Sequence, residues 1–390
     1  MTAPEIVFTA EQQRAVETAL SSPVSVVTGG PGVGKTAVTK TILAALGPDK
    51  THILAPTGKA AKRASEVCNH PASTIHRWAG SNGGASESPE NVILDEASML
   101  ANDTLAMFLR AFNGKRIVFV GDVDQLPSIG AGNVLADLIG SRRVPVTRLT
   151  KIHRTGEGST IAVHAAEINA GVVGPAFFHV APDWRPKVPE DMADLAGIAS
   201  RVATLIADSS RPVFGVDPIR DVQVIACQHR EVIALNDAIR ARLNPGASGR
   251  FAPGDKVICR KNLYHVGAVN GDSGIVARCS GGGVTVELFD GETVTFSSDD
   301  VGSLHQAWAS TVHSSQGSEW PVVIHVLTPQ SARVFGRACF YTAVTRARQA
   351  VVLITNHAAV HTAVTRNETK VRRTALGSGL AGMTVEPEEG

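Results

Sequence analysis

Residues 29–36 read Gly29-Gly30-Pro31-Gly32-Val33-Gly34-Lys35-Thr36, and no other stretch of the chain restricts its fold as sharply. The string follows an apolar run, Val24–Thr28. It precedes a segment from about Lys35 to Leu46 whose apolar positions include Ile42, Leu43, Ala45 and Leu46. Buried strand, glycine-rich turn and helix are the context in which GxxxxGK[ST] cradles phosphate. Glycines let backbone N–H groups turn inward, and the helix start adds its positive dipole end. Gly30, Pro31, Gly32, Val33, Gly34, Lys35 and Thr36 are therefore the expected ATP-binding residues. Lys35 would meet the β- and γ-phosphates, and the Thr36 hydroxyl would be a ligand for Mg2+.

The first 150 residues alternate strands and helices. Thr9 opens a helix, with Gln12 in capping-box spacing. His52–Ala55, Val92–Leu94 and Ile117–Val120 read as buried strands, and Gly58–Cys68 as a helix. This predicts a parallel sheet covered on both faces. Residues 146–245 look similar, with Val222–Cys227 as a strand. From Phe251 the texture changes to short strands at Lys256–Arg260, Gly274–Arg278, Val284–Phe289 and Glu292–Phe296, split by Gly- and Asp-rich turns. That predicts a small antiparallel barrel inserted in a second α/β unit, which resumes near Trp308 with strands at Val322–Leu327 and Val351–Thr355. Net charge is +1, so any nucleic-acid contact must come from local patches. The five cysteines are scattered without a CxxC pair, against a zinc ribbon, an iron–sulfur cluster or a disulfide framework. The expected compartment is the cytoplasm. No uncharged run reaches the ~18 apolar residues of a membrane span, and the N-terminus lacks a secretory pattern.

Val92-Ile93-Leu94 delivers Asp95 and Glu96 at a strand end. Asp95 would hold Mg2+ and Glu96 would polarise an attacking water. Gly121-Asp122-Val123-Asp124-Gln125 follows the next strand, and Gln125 could report the γ-phosphate through one hydrogen bond. Each acidic or polar turn, taken alone, could equally be a solvated strand end.

In order, the segments resemble those of a superfamily 1 helicase, specifically the RecD-like branch of superfamily 1B, over nearly the whole chain. Phe8-Thr9-Ala10-Glu11-Gln12 resembles the adenine-reading Q motif. Ala55–Ala61 resembles motif Ia, and Ser73-Thr74-Ile75-His76-Arg77 the segment after it. Asp95–Ser98 resembles motif II, Gly121–Pro127 motif III, and Leu149–Arg154 motif IV. Ser310–Trp320 resembles motif V and Tyr341–Ala347 motif VI. The resemblance implies two RecA-like P-loop domains that hold ATP, with an SH3-like β-barrel inserted in the second. The expected boundaries are 1–145 for the first domain, 146–248 and 303–375 for the second, 249–302 for the barrel, and 376–390 for a flexible tail. It makes Lys35, Asp95, Glu96, Gln125, Arg154 and Arg346 catalytic, the two arginines as fingers on the γ-phosphate. It gives Gln12 an adenine contact, although a capping-box role alone would also explain that residue. Thr57, Lys59, Thr74, His76, Arg77, Thr311, His313 and Gln316 become nucleic-acid contacts, mostly to backbone. Trp78 and Trp320 could stack on bases or sit in the core. Lys256, Arg260, Lys261 and Arg278 could face nucleic acid or solvent.

The implied activity is an ATP- and Mg2+-dependent motor on single-stranded DNA, moving 5′ to 3′, with DNA helicase activity on forked or tailed duplexes, acting as a monomer. An RNA-directed helicase of the same superfamily and a slow, nucleotide-switched binding module are the alternatives. The chain departs from the family pattern in several places. Longer members carry a domain before the phosphate loop, which is expected to be missing here. Residues 79–91 read as a flexible Gly- and Ser-rich loop where a β-hairpin pin is expected. His153, Thr155 and Ser314 stand where an aromatic, a Gln and a basic residue are common.

Overall fold

A computed structural model describes residues 8–80, 89–152, 159–207, 215–367 and 374–382. The chain forms two compact units, residues 1–156 with 369–390, and residues 157–368.

The first unit is built on six parallel strands: β1 (Val24–Gly29), β2 (Thr51–Ala55), β3 (Ala72–Thr74), β4 (Asn91–Leu94), β5 (Arg116–Gly121) and β6 (Val146–Leu149), in the order β3-β2-β4-β5-β1-β6. Its helices are α1 (Ala10–Ser21), α2 (Lys35–Leu46), α3 (Gly58–Cys68), α4 (Ile75–Gly80), α5 (Asn102–Ala111) and α6 (Val134–Ser141). Alternate residues of the central strands enter different cores. Val92, Leu94, Ile117 and Phe119 pack on one face with Phe108, Leu135 and Leu138. Ile93, Val118 and Val120 pack on the other with Val38, Ile42 and Ala15. Burial on both faces is why these strands read as unbroken apolar runs.

Two expected boundaries move. Val146–Leu149 does not begin the second domain; it pairs in parallel with β1 as the outer strand of the first sheet. The segment beginning at residue 376 was expected to be a flexible tail. Instead a helix at Ala375–Gly382 returns to the first unit, where Leu376 and Leu380 pack against its core. The Thr374 hydroxyl donates to the Asp137 carboxylate beside it.

The second unit opens with α7 (Thr160–Ala170), β7 (Trp184–Lys187), α8 (Leu195–Ala207), β8 (Val222–Ala226) and α9 (His229–Leu243). Then come β9 (Lys256–Cys259), β10 (Ser273–Ser280), β11 (Gly283–Leu288), β12 (Thr293–Phe296) and β13 (Leu304–Gln306). After these the α/β pattern resumes with β14 (Ala309–Thr311), α10 (Val312–Ser315), β15 (Trp320–Val326), α11 (Pro329–Val334), α12 (Arg337–Val344), β16 (Ala347–Ile354) and α13 (His357–Thr365); the returning helix is α14. The parallel sheet has the order β14-β8-β15-β16-β7.

The insertion is antiparallel, as expected, with the order β12-β11-β10-β9-β13. Its last strand lies beyond the expected limit of 302. Among the described residues β12 and β13 are its edges, and no ladder joins them into a closed barrel. A hydrogen-bonded knot ties this sheet to α9. Asp255 is fully buried and accepts from Arg240 Nε at 2.9 Å, Arg240 Nη2 at 2.7 Å, Asn244 Nδ2 at 3.0 Å, Gln306 Nε2 at 3.0 Å and the Ala252 amide at 2.8 Å. Burial alone would push its carboxyl up. These donors, Arg240 first, outweigh that and hold it below the usual carboxylate range. Lys256, a candidate nucleic-acid contact, is instead buried, its ammonium donating to the Val222 carbonyl at 3.0 Å. No helix among the described residues is long and apolar enough to cross a membrane.

Candidate nucleotide and strand-binding site

The sheet order of the first unit places β4, β5 and β1 side by side, so the turns after their carboxyl ends converge. That is where open α/β sheets bind ligands. The phosphate loop leaves β1 with Gly32 and Gly34 at φ of 76° and 86°, backbone that glycine adopts without strain. Gly34 caps α2 without any side-chain hydrogen bond, which leaves the first-turn amides of a twelve-residue helix to a ligand. The Lys35 ammonium donates to the carbonyls of Gly29 at 2.6 Å and Gly30 at 2.8 Å. It is thus held over the loop, and a phosphate oxygen would replace a carbonyl as its partner.

Asp95 and Glu96 leave β4 together. Glu96 has φ of 51°, left-handed and costly for a side-chain-bearing residue. Its amide donates to Asp95 Oδ1 at 2.9 Å. Desolvation and then the Glu96 charge push the Asp95 carboxyl up to about 6, against the pull of Lys35 and Arg63. Asp95, a buried carboxylate whose charge is disfavoured and which has a second carboxylate beside it, is a hard oxygen donor of the kind Mg2+ takes, and Thr36, the second residue of α2, offers a hydroxyl oxygen of the same hard type.

Asp122, which sequence reasoning left unassigned, organises the third turn. It is 1% exposed, and burial pushes its carboxyl up while Lys35 pulls it down. Its Oδ2 accepts from Gln125 Nε2 at 3.0 Å and its Oδ1 from the Asp124 amide at 3.1 Å. Gln125 is thereby oriented by its nitrogen, and its buried Oε1 has no hydrogen-bond partner among the described residues. The Val123 amide donates to the Thr28 hydroxyl at 3.2 Å and ties this turn back to β1. The signal available in the sequence was the Gly-Asp pair directly after the strand. Gln12 joins the same region: it closes the predicted capping box with Thr9, and its amide also donates to the Val33 carbonyl at 3.1 Å.

The strand-contact candidates of this unit lie at the ends of the neighbouring β2 and β3 and in the first turns of the helices that follow them, α3 and α4. Thr57 caps α3, accepting from the Ala60 amide, and Thr74 caps α4, accepting from the Arg77 amide, both at 3.2 Å. A hydroxyl that accepts in a cap still has its own proton to donate, so capping does not consume the group a phosphate would need. His76 and Arg77 are exposed, and Lys59 is half-buried. Trp78 belongs to the core, 6% exposed and 5.6 Å from the Phe108 ring centroid, so it offers no face for stacking.

In the second unit Thr311 caps α10, accepting from the Ser314 amide at 3.2 Å, and Gln316 is 6% exposed. Arg346 is 2% exposed. Its guanidinium donates to the carbonyls of Thr342 at 3.1 Å and Ser318 at 3.3 Å and so ties the motif VI resemblance to that of motif V. Arg154, with His153 and Thr155, lies outside the described residues, as do residues 81–88 of the expected loop.

Sequence reasoning also missed an echo between the units. Ala72-Ser73-Thr74-Ile75-His76 in the first matches Ala309-Ser310-Thr311-Val312-His313 in the second. Both copies form a three-residue strand at the edge of a parallel sheet, followed by a short helix capped by the threonine.

The chain is similar to known proteins along most of its length. Residues 7–181 match an AAA domain model, and residues 306–354 match the UvrD-like helicase C-terminal domain. The chain is 34% identical to the ATP-dependent RecD2 DNA helicase of Deinococcus radiodurans, over 90% of this chain and 49% of that protein, so it spans about half that relative's length. It is 30% identical to the RecBCD enzyme subunit RecD of Mycolicibacterium smegmatis, over 95% of this chain and 74% of that one. The Mycobacterium tuberculosis RecD subunit is 31% identical over 95% and 72%. A Bacteroides Pif1 helicase, solved with ADP-AlF3 and single-stranded DNA, has the same fold with a TM-score of 0.63 at 18% identity, covering 94% of this chain and 96% of that one. By its identity to RecD subunits along nearly all of its own length and most of theirs, the chain belongs to the RecD-like helicase family.

Proposed function

We propose that this protein is an ATP-dependent motor that translocates on single-stranded DNA, 5′ to 3′, with helicase activity on forked or tailed duplexes. The observation that carries this reading is the convergence of Lys35, Asp95, Glu96 and an Asp122-oriented Gln125 on adjacent strand ends, with Thr57 just past the end of β2 and Thr74 at the end of β3, the next two strands of the same sheet.

In this reading the phosphate loop binds the triphosphate through its inward amides and Lys35. Thr36 and Asp95 would hold Mg2+, which would supply charge neutralisation at the phosphates. Glu96 accepts a proton from the attacking water. Gln125, fixed through its nitrogen, presents Oε1 to that water or to the γ-phosphate. Arg346, and Arg154 by resemblance, would stabilise charge on the transferred phosphoryl group. Thr57, Lys59, Thr74, His76, Arg77, Thr311, His313 and Gln316 hold the sugar–phosphate backbone without reading bases. The inserted sheet corresponds to the SH3-like domain of the family, with Arg260, Lys261 and Arg278 as its candidate contacts.

ATP turnover measured with no strand, single-stranded DNA and single-stranded RNA of equal length tests the reading. Turnover should rise with DNA and less with RNA. Equal rates with and without strand would refute the motor, and preference for RNA would reassign the substrate. Strand release from duplexes with 5′ or 3′ tails tests polarity.

A further inference from the structure

The threonine echo aligns the two parallel sheets. Setting β14 on β3 and counting inward matches β8 to β2, β15 to β4, β16 to β5 and β7 to β1. The carboxyl ends of β16 and β7 are thus the second unit's counterpart of the ends of β5 and β1, where the phosphate loop begins. A cavity of about 260 Å3 lies there. Ile354 and Lys187, the last residues of the two strands, are register partners and both line it. α8 closes it with Ile198, Arg201 and Leu205, which share one face of the helix.

The location is that of the nucleotide site, but the chemistry differs. β1 runs into Gly30-Pro31-Gly32, whereas β7 runs into Val188-Pro189-Glu190-Asp191. Proline has no N–H, and the two acids would repel phosphate, so this turn builds no amide cradle. The lining offers an apolar floor instead, with Ile198 1% and Ile354 5% exposed, and Val188 at its mouth is 52% exposed. Lys187 and Arg201 add two exposed cations, and no acid lines the cavity. Asp191 and Asp194, close by in the chain, accept from the amides of Ala193 at 2.7 Å and Gly197 at 2.9 Å. The volume is small beside the roughly 300–1,000 Å3 of sites for drug-sized ligands, and suits one large side chain.

We infer that this cavity docks an acidic peptide segment of a partner protein. One apolar side chain enters over Ile198 and Ile354, and carboxylates on either side of it meet Lys187 and Arg201. A nucleic-acid backbone would pair with the cations but leave the aliphatic floor uncovered, and no aromatic residue lines the cavity as a platform for a base. The inference goes beyond the motor reading and uses none of the residues assigned there to ATP or to the strand.

The probes are fluorescein-labelled acidic pentapeptides with Leu, Phe or Ser at the centre, and a lysine-rich pentapeptide with Phe at the centre, titrated by anisotropy. The acidic Leu and Phe peptides should bind saturably and more weakly as salt rises. The Ser peptide and the lysine-rich peptide should not bind. Arg201→Glu should weaken binding about tenfold or more, because it turns an attraction at the rim into a repulsion. Val188→Glu, at the mouth, should do the same. Both residues are exposed, so the melting temperature and strand-stimulated ATP turnover should stay as in the wild type. A photoreactive benzoylphenylalanine in the central position should crosslink to the end of β7 or to α8, as read by mass spectrometry.

Equal binding of the Ser peptide would reduce the site to unspecific charge and overturn the inference. So would crosslinks elsewhere, or acidic peptides that bind neither with Leu nor with Phe. A single-stranded oligonucleotide that displaced the peptide, and itself lost affinity in Arg201→Glu, would reassign the surface to nucleic acid. Peptide binding in a protein without strand-stimulated turnover would sink the motor reading and leave this inference standing.

Discussion

Arg346→Ala should carry two separable penalties. The guanidinium donates to two buried carbonyls, at 3.1 and 3.3 Å, while its 3.4 Å approach to the Thr345 hydroxyl adds little. Hydrogen bonds from a charged donor contribute about 1.5–3 kcal/mol each, and these lengths favour the lower end, so the pair is worth about 3 kcal/mol. In a unit of about 200 residues, 1 kcal/mol moves the melting midpoint by about 2–4 °C, which gives a drop of about 6–12 °C. The second penalty is on hydrolysis, about 10³-fold by analogy with arginine fingers, with nucleotide affinity less affected. Thermal unfolding reads the first. Strand-stimulated turnover, measured some 20 °C below the variant's own midpoint, reads the second in folded protein; that margin is about two full shifts of the size expected here. Arg346→Lys keeps the charge but replaces the planar fork, which spans two separated carbonyls, with one compact ammonium, and should fall between wild type and alanine in both assays. An alanine variant that melts with the wild type would refute the energetic argument. Turnover that returned to normal in well-folded alanine variant would reduce Arg346 to a structural tie.

Lys35→Ala should abolish ATP turnover in protein that still folds, as thermal unfolding can check, because it removes the positive charge beside the Gly29 and Gly30 carbonyls and the Asp95 and Asp122 carboxyls; turnover like the wild type would dismiss the active-site assignment. Single-strand affinity should fall with salt and vary little among mixed sequences, and Lys59→Ala should make the log–log salt slope shallower by about 0.7, as read by titration at several ionic strengths. Arg240→Ala should cost about 3 kcal/mol by leaving the buried Asp255 carboxylate without its guanidinium. A double-mutant cycle with Asp255→Asn should show the two changes coupled, and additive costs would argue against the knot. Asp255 is held below the ordinary carboxylate value in the folded chain, so its contribution is present above about pH 4 and is lost as pH falls through the folded value. The stability of the wild type should therefore fall more steeply as the pH drops below about 4 than that of Asp255→Asn, as read by denaturant titration at several pH values; an equal or steeper fall in the asparagine variant would show the sign to be wrong.

Much of the site was legible because its chemistry is local. A phosphate loop needs glycines, a lysine and a threonine in consecutive positions, and the doubly buried strands around it announce themselves as apolar runs. What escaped depends on partners far along the chain. β6 shows only Thr147 and Leu149 buried among exposed Val146 and Arg148, too brief a pattern to mark a strand before its pairing with β1 is known. Lys256 looked like surface charge, and its burial makes sense once the fold brings the Val222 carbonyl and the Phe289 ring to its ammonium. Asp122 reads as one more acid in a turn until its hold on Gln125 is seen. The threonine echo was hidden by a separation of more than two hundred residues and by helices too short to declare themselves.

The return of α14 has a consequence for how the protein is made. The first unit is discontinuous: its sheet is translated early, but Leu376 and Leu380, which cover part of its core, are translated after the whole second unit. Domains generally fold in the order in which they leave the ribosome. Here the second unit can close while the first still shows apolar surface beside α6. A premature stop near residue 370 would leave every motif intact and strike the phosphate-binding half. The damage would surface at the opposite end of the chain from the lesion, as poor solubility and a low melting point of the nucleotide-binding unit.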